Sequence, residues 1–230
     1  MEGRNEDRIT MKSADRCMRK ASEAFSKRKL GKAWELYGKA VDAYRAETPA
    51  RPERMLLALY TRVLLAMREG LDVPVDEDLE AARGLLADAT FPEAGRFRGL
   101  FCFLEGVRAH LQGDLAAGKA ACGEARRILV DHGRNHDLYE VAREEMRGAA
   151  RAGDPKRFAA AAREALDRSE HPLQVVETKT AMADYHAAMG DRAQELELLE
   201  QAAAKAFEAK LKQPLWDLEA RIRTLKQAVD

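Results

Sequence analysis

The chain has 230 residues, enough to bury a continuous core as one large domain or one helical array. Hydrophobic residues at 46% exclude a disordered chain, and 39 basic against 39 acidic side chains give a net charge of +0, which disfavours a duplex-binding protein. The N-terminal "MEGRNEDRITMKSADR" lacks the apolar segment of a signal peptide, and the apolar runs "MLLALY" and "VLLAM" fall far short of the ~20 residues of a membrane span. Cys17, Cys102 and Cys122 have no metal-binding or disulfide spacing, so a reduced, cytoplasmic setting is expected.

After a charged tail over residues 1–11, the pattern predicts antiparallel helix pairs in chain order. They span about 12–28 with 31–46, 52–69 with 76–89, 95–112 with 115–131, 136–152 with 155–168, and 173–189 with 192–210, followed by a last helix at 214–229. The pairs are punctuated by Gly-Asp. Gly adopts the left-handed conformation just past a helix end, and Asp caps the amides of the next helix. Gly113-Asp114, Gly153-Asp154 and Gly190-Asp191 carry this signal in full, with weaker versions at Gly31 and Gly70. A connection that short folds the second helix back on the first. The five glycines lie 39, 43, 40 and 37 residues apart, a period that marks a solenoid of helix pairs. Pro49, Pro52, Pro92, Pro172 and Pro214 all fall between pairs.

Around these turns a pattern of small and large residues repeats. It reads Ala21, Ala33, Tyr37, Ala40 in the first pair; Gly106, Gly118, Cys122, Ala125 in the third; and Ala183, Glu195, Leu199, Ala202 in the fifth. Small residues let paired helices approach, and a large one plugs the gap to the next pair. This arrangement resembles tetratricopeptide (TPR) repeats over nearly the whole chain. It lacks the family's early Trp and has the longer ~40-residue period; armadillo/HEAT-like pairs are the competing reading. The fold class expected is an all-α, right-handed solenoid of about five hairpins with a C-terminal capping helix, forming one domain over 12–230.

Few residues suggest chemistry. "DHGRNHD" clusters Asp131, His132, His136 and Asp137, but Gly133 interrupts the helical spacing that two metal-binding His would need, so a polar inter-hairpin loop is expected there. No phosphate loop or nucleophile pattern is present, and the cysteines fall on apolar stripes, so no catalysis, cofactor or metal is expected. The resemblance implies a concave face lined by the first helices of the hairpins. The family's carboxylate clamp and its backbone-reading Asn residues are not expected, since the only two asparagines, Asn5 and Asn135, fall outside the first helices as drawn.

The third hairpin's first helix, "GRFRGLFCFLEGVRAHL", aligns Leu100, Phe103, Leu104, Val107 and His110 on one face. That face is either core or an apolar groove for an amphipathic helix or a hydrophobic anchor, with Arg143, Glu144 and Arg147 of the next hairpin as its charged rim. In the last helix Leu215, Leu218, Ile222, Leu225 and Val229 form a seam about two heptads long, suited to capping the array or to a homodimer. The function expected is a non-enzymatic adaptor or scaffold binding another protein or peptide. The alternatives are a sensor for a small molecule or signal peptide, and a hydrolase or transferase using His132 and His136. The Ala- and Arg-rich usage suggests a bacterial source.

Overall fold

The computed structural model describes residues 3–47 and 51–227, with side chains from Ser13 onward. Eleven helices and no strand are present among the described residues: α1 (Gly3–Ser26), α2 (Leu30–Arg45), α3 (Pro52–Glu69), α4 (Asp76–Ala87), α5 (Ala94–Leu111), α6 (Leu115–His132), α7 (Asn135–Arg151), α8 (Pro155–Asp167), α9 (Pro172–Ala188), α10 (Arg192–Glu208) and α11 (Lys212–Gln227). They fall into two compact units, Met1–His132 and Gly133–Asp230. In unit 1, α1 packs on α2, α2 on α3, and α5 on α6, with α3 and α4 both touching α5. In unit 2, α7 packs on α8, α9 on α8 and α10, and α11 on α10.

The turns follow from cap chemistry. Gly70, Gly113, Gly153 and Gly190 all have positive φ, between 62° and 83°. Asp114, Asp154 and Asp191 each accept, through Oδ1, the backbone N–H three residues on, at 2.9, 3.0 and 3.2 Å. Pro52, Pro155 and Pro172 occupy first helical turns, where a missing N–H removes no bond.

The first turn differs from the reading at Gly31, which lies inside α2. The left-handed residue is Arg28, with φ 56°. Packing explains the shift. Arg28 stands five residues before buried Ala33, as Gly113 stands before Gly118 and Gly190 before Glu195. The same closing bond forms in each case, Lys29 N–H to Ala24 C=O here and Asp114 N–H to Ala109 C=O there, both at 2.9 Å. A side chain in this conformation is strained by about 1 kcal/mol. Arg28→Gly should therefore raise stability by roughly 0.5–1 kcal/mol, a midpoint gain of about 2–3 °C. Gly31→Ala, with open space at its Cβ position, should not lower it. A destabilised Gly31→Ala protein would put the turn back at Gly31.

Small residues set the helix spacing. Ala21, Ala33, Ala40, Cys122, Ala125, Ala183 and Ala202 are each 0% exposed. Between α5 and α6 the backbones approach so closely that a Cβ on Gly106 would meet the Cys122 Sγ at 2.6 Å, and one on Gly118 would meet the His110 ring at 2.0 Å. In unit 2 the α11 seam is consumed at home. Leu218 is buried, and Leu215, Ile222 and Leu225 pack with it on the Leu198, Leu199 and Ala202 cluster of α10. That is capping; Val229, the remaining seam position, lies outside the described residues. Among the described residues no helix is long and apolar enough to cross a membrane.

Candidate functional site

The five candidates on α5 are core. Leu100, Phe103, Leu104, Val107 and His110 are 0 to 4% exposed, so this face presents no open groove. Tyr60 of α3 meets Phe101 edge-on at 6.3 Å, and the glycines on the opposite side of α5 seat α6. Covered from both sides, the helix has no free apolar stripe. The reading of this face as a groove is thereby corrected.

Arg143 and Arg147 have a different setting. They line a groove in unit 2, about 960 Å³ in volume, whose walls come from α7, α9 and α11. The floor is apolar: Met146 and Phe158 from the fourth hairpin, Val176, Ala181 and Tyr185 from the fifth, and Leu218 from α11. Phe158 and Tyr185 stack with ring centroids 3.9 Å apart and planes inclined by 17°. The α7 wall carries Arg143, Arg147 and Arg151, four residues apart, on one side of the helix.

Ion pairs join consecutive first helices across the groove. Arg143 reaches Glu177 Oε2 at 2.8 Å and Glu140 at 3.8 Å, with its guanidinium 5.5 Å from the Tyr139 ring. The buried Tyr139 hydroxyl donates to the Gln174 carbonyl at 3.1 Å, and burial pushes its pKa up. Arg221 of α11 holds Asp184 at 2.5 Å and Glu195 at 2.6 Å. Burial pulls the Arg221 pKa down, but its bonds to Glu195 and Asp184 outweigh this and hold it above the ordinary value. The groove is thus a pre-set apolar trough with fixed charges on its edges.

The other expected candidates are engaged in structure. Asp137 Oδ2 accepts from the Arg134 N–H at 2.9 Å, and His136 Nδ1 faces Gln174 Nε2 at 3.0 Å. No group of three or more His, Cys, Asp or Glu that could hold a metal occurs among the described residues. Burial pushes the Cys102 thiol pKa up, with Glu124 and Glu105 acting the same way, so this thiol is not an activated nucleophile. Both asparagines do fall within first helices, contrary to expectation: Asn5 in α1 and Asn135 as the first residue of α7. The Asn135 amide is occupied, donating to the Arg168 carbonyl at 3.0 Å and accepting from its guanidinium at 3.2 Å.

Sequence reasoning missed Thr180, Asp184, Tyr185, Asp217 and Arg221. Two signals point to them. Opposite charges recur one repeat apart, Arg143 with Glu177 and Asp184 with Arg221. In the fourth hairpin the two small positions flanking the turn hold Met146 and Phe158 instead, and both reach the groove.

These features define a TPR-like helical repeat fold of consecutive antiparallel pairs, in which α7, α9 and α11 of unit 2 line a groove. The chain is similar to the crystal structure of a thermophilic TPR protein from Thermus thermophilus, with a TM-score of 0.58 at 20% identity, covering 93% of this chain and 99% of that one. That likeness shows the fold. No protein-family model and no curated protein matches the chain.

Proposed function

We propose that this chain is a non-enzymatic interaction module that takes a peptide or helix of another protein into the groove of unit 2. The carrying observation is the groove itself: a trough with an apolar floor and charged edges, formed by the first helices α7 and α9 together with α11. Such a shape offers area for an apolar anchor and polar groups to orient it. TPR-like folds are commonly protein-interaction scaffolds. The net charge of +0 argues against a nucleic-acid partner, and the free cysteines fit a reducing cytoplasm. The α11 seam is already packed on α10, so homodimerisation through it is not part of this reading.

Filling the trough tests the proposal. Thr180 is half-buried on α9 and lines the groove, and Thr180→Trp places an indole in the ligand's path. The variant should melt within about 2 °C of wild type yet lose the proteins that wild-type bait retains from its source extract. Retention of the same proteins by both baits would contradict the site. Retention of none by either, with a small molecule co-purifying in the groove, would favour the sensor reading.

A further inference from the structure

We infer that the groove of unit 2 is shaped for a helix whose apolar ridge is flanked by carboxylates on one edge and by lysines or arginines on the other. The acidic edge lies along α7. This rests on the proposed docking function and specifies the chemistry of the occupant.

Three observations carry it. The α7 edge is cationic. Arg147 keeps 38% of its side chain exposed while holding the buried Glu144 with one nitrogen at 3.2 Å, and Arg151 is exposed one turn further on. Four-residue spacing on a helix matches carboxylates four residues apart on a facing helix.

The opposite edge is anionic. There Arg221 is engaged by Asp184 and by the buried Glu195 of α10, while Asp217 is exposed and accepts a hydrogen bond from the neutral Gln213 amide at 2.9 Å. Two edges of opposite sign fix the direction in which a helix lies down, because the reversed helix brings like charges together.

The third observation selects a helix over an extended strand. An extended backbone needs side chains to satisfy its N–H and C=O groups, whereas a helix satisfies its own. No Asn or Gln lines the groove among the described residues, and the Thr180 hydroxyl is already committed to the Val176 carbonyl at 2.8 Å.

The test uses the full chain and three fluorescent helical probes of about sixteen residues with one shared Leu/Ala ridge. One probe has an acidic and a basic edge, one has two acidic edges, and one has two basic edges. Fluorescence anisotropy should show the mixed probe binding about tenfold tighter than either like-charged probe, with the advantage shrinking at high salt. Arg151→Glu, which leaves the Arg147–Glu144 pair intact, turns the exposed end of the α7 edge acidic, so the advantage of the mixed probe over the two-basic probe should shrink while the melt stays close to wild type. Probes that bind equally, all displaced by Thr180→Trp, would overturn the charge inference and leave the groove as a docking site. Tightest binding by a like-charged probe would also overturn it. Absence of binding by all three, or binding unaffected by Thr180→Trp, would overturn both.

Discussion

Phe103→Glu should unfold unit 1. Phe103 is 1% exposed on α5 beside Leu100, Leu104 and Val107, so a glutamate there either buries a carboxylate or opens the core. The transfer penalty of an unpaired buried charge is several kcal/mol, about 4 as a working figure, against a total stability of roughly 5–15 kcal/mol for a domain. The thermal midpoint should fall by about 8–16 °C, or the protein should fail to fold cooperatively. Asp217→Asn on the groove edge should leave the midpoint within about 2 °C, because that side chain is exposed and its partner is the neutral Gln213 amide. Thermal melts of the two variants side by side separate a core face from a surface one. A Phe103→Glu protein that melts like wild type would mean that α5 does present an open face.

The second large effect concerns a buried ion pair in unit 1. Arg62 Nη1 donates to Asp78 Oδ1 at 2.7 Å, and its guanidinium lies 3.8 Å from the centroid of the Trp34 ring. Gly38 makes the room, since a Cβ there would press on Arg62 Cζ at 3.3 Å. Trp34 Nε1, Arg62 Nε and Asp78 Oδ2 are buried without a hydrogen-bond partner, so the pair carries much of its desolvation uncompensated. Arg62→Met strands the Asp78 carboxylate and should destabilise by about 3–5 kcal/mol. Arg62→Met/Asp78→Leu should recover to within about 1 kcal/mol of wild type or exceed it. Chemical denaturation of the two variants is the measurement. A single variant costing under about 1 kcal/mol would contradict the buried pairing.

Asp78 also links stability to pH. Burial raises its pKa above the ordinary carboxylate value, and Arg62 only partly offsets this. The folded state therefore holds this proton more tightly than the unfolded state does. The contribution of Asp78 is most favourable below the ordinary value and is lost as pH rises through the raised one. Asp78→Asn should flatten that part of the stability profile, and Arg62→Met should steepen it.

Much of the fold was legible because helix ends are written in local chemistry. Gly113-Asp114, Gly153-Asp154 and Gly190-Asp191 each specify a left-handed residue and a cap within two positions, and all three form as read. Arg28 escaped because a long-range requirement overrode the local one. Packing of Ala33 and Tyr37 against Ala21 and Ala24 of α1 determines where α2 begins, and an arginine accepts the strain. The site was harder to read. A face of Leu, Phe and Val looks alike whether neighbours cover it or not, and α5 is covered on both sides. Arg143 and Arg147, which line the groove, were singled out by their repeat position, whereas Asp184 and Arg221 become visible only as charge pairs one repeat apart.

Amide hydrogen exchange on the full chain, with and without a bound partner segment, tests the central claim most directly. Docking in the groove should slow exchange along α7, α9 and the first turns of α11, the segments that contain Arg147, Thr180 and Asp217, and should leave α3 and α5 of unit 1 unchanged. Protection confined to unit 1, or to α8 and the outer face of α10, would place the binding surface elsewhere and contradict the account.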